Sequence, residues 1–222
     1  MIGILGGSFD PLHSAHLAMA DALASALSLD EVRFMPAARP WQKSGLSASA
    51  GDRVAMLEAA LEHHVPTHGR YSVDTREVER GGATYTLDTL IDLRETLGAE
   101  ASLVFLFGAD QLVHLDTWHR WHQLWDYAHL AAVSRPGFEL DQLPPEVARE
   151  WSRRVGDATS LRSAPAGRTF LLETLHLDVS ATDIRAALAG GTPGDDAGRV
   201  LPGRLVPPAV LDYIETNHLY RS

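Results

Sequence analysis

The sequence predicts an α/β fold, a Rossmann-like doubly wound parallel sheet with a small helical C-terminal part. Three observations carry that reading. Short apolar runs alternate with segments of helical spacing, glycine or proline closes most of the runs, and residues 103–107 (LVFLF) are continuously aliphatic or aromatic, as befits a strand covered on both faces. Taken in order, residues 2–5 form a strand ending at Gly6-Gly7, and an amphipathic helix follows over residues 14–27. Residues 32–35 make a second strand, closed by Pro36. Over residues 52–62, Val54, Leu57 and Leu61 repeat at helical spacing, and Ser49, three before Asp52, reads as the cap. Residues 71–73 are a short strand and residues 86–97 a helix stopped by Gly98. Behind the strand at 103–107 stands Gly108. The spacing of Trp118, Trp121 and Trp125 then predicts a helix over residues 118–127, with both later tryptophans in the core. Residues 129–133 are a strand ended by Arg135-Pro136-Gly137. Beyond it come a helix near residues 144–155, a strand at 169–172, and helices near 181–189 and 208–217. Right-handed crossovers between parallel strands would cover both faces of the sheet. There is no internal repeat. Residues 1–222 form one domain, an α/β core over 1–178 followed by a helical part over 179–222.

Composition narrows the function. The 222 residues carry 19 Lys+Arg against 29 Asp+Glu, a formal charge of −10, which argues against broad binding to nucleic acid or anionic membranes. An apolar fraction of 45% and a charged fraction of 22% suit a packed globular core rather than disorder. No cysteine is present, so disulfides, thiol nucleophiles and cysteine-bound metals are excluded. No apolar run approaches the roughly 20 residues that cross a bilayer, and no Lys or Arg precedes Arg33, so a cytoplasmic protein is expected. Lys43 is the single lysine beside 18 arginines.

The most informative segment is Gly6-Gly7-Ser8-Phe9-Asp10-Pro11-Leu12-His13-Ser14-Ala15-His16, between the first strand and the first helix. In an open parallel sheet, ligands bind beyond the carboxyl ends of the strands, where this turn lies. Gly6 and Gly7 let the backbone bend and present N–H groups, and a helix start adds a positive dipole end, so a phosphate is held without a basic side chain. The segment is neither the dinucleotide fingerprint nor a P-loop. His13 and His16 share one face of the helix start. Such a pair can cap the helix and pack in the core, supply two zinc ligands, or donate two N–H groups to phosphoryl oxygens; the glycine turn beside them favours the last.

GGSFDPLHSAH resembles the signature of the nucleotidyltransferases with the H-x-G-H motif, with Ala15 where that family has glycine. Val179-Ser180-Ala181-Thr182-Asp183-Ile184-Arg185 is similar to the superfamily's second motif. By its own chemistry Ser180 caps a helix, Thr182 lies in its first turn and Arg185 follows one turn later, a set able to grip a triphosphate. Further segments resemble one branch, the bacterial nicotinate-nucleotide adenylyltransferases. These are Ala83-Thr84-Tyr85-Thr86-Leu87-Asp88-Thr89, Gly108-Ala109-Asp110-Gln111-Leu112, Thr117-Trp118-His119 and Ser134-Arg135-Pro136-Gly137. His119 stands where the branch usually has tyrosine, and Trp41-Gln42 replace a Pro-His pair ahead of Lys43.

The resemblance implies transfer of the adenylyl group of ATP to nicotinate mononucleotide, giving nicotinate adenine dinucleotide and pyrophosphate. His13, His16, Lys43 and Arg185 would be catalytic. Gly6, Gly7, Ser8, Phe9, Gly108, Asp110, Ser180 and Thr182 would bind ATP, with Asp110 also within reach of ribose hydroxyls. Thr86, Trp118, His119 and Arg135 would hold the mononucleotide, and Mg²⁺ would arrive with ATP. The alternatives are adenylyl transfer to phosphopantetheine, a nucleotide-binding protein without activity, and a zinc hydrolase built on His13 and His16.

Overall fold

The apolar runs become the strands of one parallel sheet. In the computed structural model, which describes residues 1–40, 46–134, 138–173, 179–189 and 205–221, six strands pair side by side. They are β1 (Ile2–Gly7), β2 (Glu31–Pro36), β4 (Arg70–Val73), β6 (Leu103–Gly108), β7 (His129–Ser134) and β8 (Thr169–Glu173), in the order β4-β2-β1-β6-β7-β8. The chain builds outward from β1 in one direction, then returns and builds outward in the other. The reversal falls between β1 and β6, which pair through Ile2↔Leu103 to Leu5↔Leu106. At such a switch point, loops leave neighbouring strands in opposite directions and a crevice opens at the carboxyl ends.

Period-two alternation divides the core into two layers. Val104 and Leu106 of β6 join a cluster with Leu17 and Leu23 of α1 (Ser14–Leu27), Met56 of α2 (Ala50–His63), Ile184 of α8 (Ala181–Leu188) and Ile214 of α9 (Pro208–Thr216). Leu103, Phe105 and Phe107 point the other way. They meet Leu87 and Leu90 of α4 (Thr86–Leu97), the tryptophans that follow β6, and Trp151 of α6 (Pro145–Ser152). The C-terminal helices therefore share one apolar cluster with the first half of the chain. Among the described residues, no helix is long and apolar enough to cross a membrane.

Local chemistry sets the boundaries. Ser49 caps α2 by accepting the Asp52 N–H at 3.1 Å, as its spacing implied. Gly98, at φ 90°, ends α4 and returns its N–H to the Arg94 carbonyl. The segment read as one helix over residues 118–127 is different. A 3₁₀ helix runs Ala109–Thr117, Trp118 is extended, and Arg120 sits at φ 52° in the left-handed region. Only then come a short 3₁₀ turn, Trp121–Gln123, and α5 (Leu124–Tyr127). The left-handed Arg120 breaks the helix, yet Trp121 and Trp125 are buried with rings 5.8 Å apart, because successive turns meet the same core. Two short helices, α3 (Arg76–Arg80) and α7 (Ala158–Arg162), and a minimal parallel pair, β3 (Arg39–Pro40) with β5 (Ala83–Thr84), complete the described elements.

Candidate active site at the carboxyl ends of β1 and β6

A cleft of about 840 Å³ opens at the switch point. Its walls come from distant parts of the chain: Gly6, Gly7, Ser8, His13, Ala15 and His16 from the first turn and the start of α1, Gly108 at the end of β6 and Asp110 just after it, and Ser180 at the start of α8. Thr86 and Trp118 line it on the side of α4. The first turn and the α8 motif thus face one cavity.

The turn is fixed from below. Phe9, at φ 46° and fully buried, turns its ring inward against Phe34 and under His16. A Cβ on Gly7 would stand 2.9 Å from that ring, so the glycine is required where β1 passes over Phe9. The Phe9 side chain, grouped with the ATP-binding residues from sequence, therefore belongs to the core, and only its backbone remains on the turn. Arg53, 1% exposed, donates to the Ser8 carbonyl at 2.8 Å and the Ala38 carbonyl at 3.4 Å. A trans peptide points its C=O and the following N–H in opposite directions, so this bond turns the Phe9 N–H away from Arg53.

His13 occupies the N-cap position of α1, and its backbone N–H donates to His16 Nδ1 at 3.3 Å. The rings stack with centroids 3.7 Å apart, and Phe9 meets His16 edge-on at 5.0 Å. The pair both caps the helix and lines the cleft. An Nδ1 that accepts leaves the ring proton on Nε2, which makes neutral His16 an N–H donor.

At the other end of the chain, Ser180 Oγ accepts the Thr182 N–H at 3.2 Å, and Thr182 Oγ1 accepts from Arg185 at 3.3 Å. The same guanidinium donates to the Asp10 carbonyl at 2.6 Å. Thr182 and Arg185 stand beside the cleft rather than in its wall. Trp118 packs edge-on to Phe105 at 6.0 Å and near Phe107 at 6.1 Å, presenting an aromatic surface to the cleft. His119 is exposed, rests on Tyr85 at 4.8 Å and is not among the cleft-lining residues. Asp110 does not cap the 3₁₀ helix after β6, since Gly108 holds that position; its carboxylate accepts from Gln111 at 2.7 Å. Lys43 and Arg135 lie outside the described residues.

Sequence reasoning missed Glu77. It is 7% exposed and lines the cleft on α3; Thr89 donates to it at 2.5 Å and in turn accepts from Arg80 at 3.0 Å. Burial pushes its carboxyl up to about 7 although Thr89 and Arg80 favour the charged form, and neighbouring Asp74 adds to the rise. Within the motif T-R-E-V-E-R nothing distinguishes Glu77 from its exposed neighbour Glu79; only the fold buries it.

Groups of a chemistry suited to phosphate, drawn from both ends of a sequence to the switch point of a parallel sheet, form the layout of a nucleotidyltransferase. Residues 4–187 match the cytidylyltransferase-like family. Over the full chain the sequence is 48% identical to a probable nicotinate-nucleotide adenylyltransferase of Herminiimonas arsenicoxydans, covering 97% of that protein. It is 47% identical to one of Laribacter hongkongensis, covering 94% of it. Its fold resembles Plasmodium falciparum nicotinic acid mononucleotide adenylyltransferase at TM-scores of 0.70 (complexed with NaAD) and 0.72 (complexed with APC). Those matches cover 99% of this chain and 96% of the other at 18% identity. The chain belongs to the nicotinate-nucleotide adenylyltransferase family.

Proposed function

We propose that this protein transfers the adenylyl group of ATP to nicotinate mononucleotide, forming nicotinate adenine dinucleotide and pyrophosphate in the biosynthesis of NAD. One observation carries the reading beyond the family: Arg185 joins the α8 motif to the first turn through its 2.6 Å bond to the Asp10 carbonyl, and both motifs border one cleft.

The mononucleotide phosphate is already an oxyanion at neutral pH, so its oxygen attacks the α-phosphorus without a general base. The bond to the β-phosphate oxygen breaks and its electrons leave with pyrophosphate. The protein's task is to align the two phosphates and balance their charge. In this reading the N–H groups of the 6–9 turn and the rings of His13 and His16 take the ATP phosphates. Ser180, Thr182 and Arg185 take the leaving end, Lys43 adds its charge to the phosphates, and Gly108 and Asp110 hold the nucleoside. Thr86, Trp118 and Arg135 take the mononucleotide, with His119 at its margin beside Tyr85. Mg²⁺ enters bound to ATP, held by phosphate oxygens and water. A cytoplasmic setting belongs to the same proposal.

Pyrophosphate release should be followed with ATP, Mg²⁺ and, in turn, nicotinate mononucleotide, nicotinamide mononucleotide and phosphopantetheine. The expected result is turnover with the first at a kcat/KM about tenfold or more above the second, since a site built for a carboxylate leaves its donors unpaired against an amide. No turnover with nicotinate mononucleotide, or faster turnover with phosphopantetheine, overturns the assignment.

A further inference from the structure

A group at the opposite end of the sequence is hydrogen-bonded to the first turn. Asp10, 3% exposed, is the hub of three segments. Its carboxylate accepts the Ser47 N–H at 2.8 Å, the Ala48 N–H at 3.0 Å and the Tyr220 hydroxyl at 2.8 Å. Its carbonyl accepts from Arg185, whose guanidinium also stands 4.0 Å from the carboxylate. One buried carboxylate therefore ties the 47–48 backbone and Tyr220 to the residue on which Arg185 rests. Tyr220 is brought to it by α9, which packs Val210 and Ile214 into the α1–α2 cluster, while Tyr213 donates to Asp52 on α2 at 3.1 Å.

We infer that Tyr220 is a positioning residue for adenylyl transfer, acting through Asp10 to hold Arg185 in register with the first turn. The inference rests on the function proposed above. Ser47, Ala48 and Tyr220 together use three of the acceptor sites on the Asp10 oxygens. Removing the hydroxyl leaves a buried carboxylate one donor short, with the freedom to turn toward the Arg185 guanidinium. Such a turn draws Arg185 off the Asp10 carbonyl. Transfer between two phosphates depends steeply on alignment, so a small displacement is felt in turnover more than in binding. Burial and the adjacent Asp10 charge push the Tyr220 hydroxyl well above the usual tyrosine range, so it remains a donor across the working pH.

Tyr220→Phe keeps the ring and removes only the donor. The wild type, Tyr220→Phe, Arg185→Ala and the double variant are compared by pyrophosphate release from ATP and nicotinate mononucleotide, with melting temperature measured alongside. We expect Tyr220→Phe to lower kcat about tenfold with KM for ATP changed less than about threefold. In the Arg185→Ala background the same change should have almost no effect on kcat, because the group it positions is already gone. A purely structural role would move melting temperature and lower activity equally in both backgrounds, and that result overturns the inference. So does a Tyr220→Phe enzyme within twofold of wild type. If Tyr220→Phe does not fold, Asp10→Asn is read in its place with the same expectations. A wild type that releases no pyrophosphate removes the proposed function and the inference with it, whereas an active wild type with an unaffected variant removes the inference alone.

Discussion

Glu77 gives the cleft a pH-dependent stability that a single substitution should abolish. Its carboxyl, pushed up from 4.5 to about 7 chiefly by burial, holds a proton in the folded chain over a range where the unfolded chain has lost it. The folded value lies above the unfolded one. The stabilising contribution is therefore complete below about pH 4.5 and is lost as pH rises through 7. At 1.36 kcal/mol per pH unit, the interval corresponds to about 3 kcal/mol. Glu77→Gln keeps the shape and an acceptor for the Thr89 hydroxyl but cannot ionise. The variant should match wild type near pH 4.5 and exceed it by up to about 3 kcal/mol at pH 8, a rise in melting temperature of about 6–12 °C for a domain of this size. Urea unfolding of both proteins at four or five pH values between these limits tests it, with the remaining carboxylates cancelling in the difference. A gap that does not widen with pH, or that favours wild type at high pH, refutes the reasoning. The same proton matters to function: its loss puts a negative charge in the wall of a cleft built for anions, so KM for the mononucleotide should rise above pH 7 in wild type and less in the variant.

Three other outcomes follow from the same geometry. His16→Ala removes the Nε2 donor and should lower kcat by about 10²–10³ in the pyrophosphate assay with far-ultraviolet circular dichroism unchanged; turnover within a few-fold of wild type would mean that the ring only caps α1. Ser49→Ala deletes the cap on the Asp52 N–H and should cost about 1 kcal/mol in urea unfolding, with no loss marking the bond as replaceable by water. Burial alone would raise the Asp74 carboxyl, but hydrogen bonds and charge from Arg76, with Arg33 nearby, hold it below the usual range. Its contribution is therefore present above its unfolded value and fades as pH falls through the lower folded one, so Asp74→Asn should flatten the acid limb of the stability profile, and an unaltered limb would contradict that.

Local signals carried most of the fold. The leucines of α1 and α4 recur at helical spacing, and Gly98 stops α4 where expected, so both helices follow the pattern to the residue. β1 runs on through Gly6 and Gly7 because β2 continues beside it, pairing Gly7 with Pro36. The tryptophan segment shows where spacing fails: residues three and four apart meet the core equally well from broken 3₁₀ turns, and nothing in W-H-R-W foretells a left-handed Arg120. The β3–β5 pair joins segments with no mutual signal in sequence. At the site, the motifs disclosed the groups that line or border the cleft because each motif has its members in adjacent residues. Glu77 and the Asp10–Tyr220 bond, which spans 210 positions, depend on burial and long-range contact, and no local pattern encodes them.

An enzyme with a net charge of −10 that binds two anions must concentrate its positive potential. Among the described residues lining the cleft there is no lysine or arginine; Arg53, Arg80 and Arg185 stand behind its wall, donating to the Ser8 carbonyl, Thr89 and the Asp10 carbonyl. On the proposed function, the rest of the attraction is assigned to N–H dipoles of the first turn and the starts of α1 and α8, to the histidine rings, and to Mg²⁺ arriving with ATP. Dipoles and single charges in a cleft act over less than the roughly 10 Å Debye length of about 0.1 M salt, whereas the acidic surface repels over longer distances. Salt should therefore screen repulsion as much as attraction. Raising ionic strength from about 20 to about 200 mM should leave kcat/KM for the mononucleotide within about twofold or raise it slightly. A steep fall would mean that long-range cationic steering delivers the substrate, and the attraction would then have to be sought outside the dipoles of the first turn.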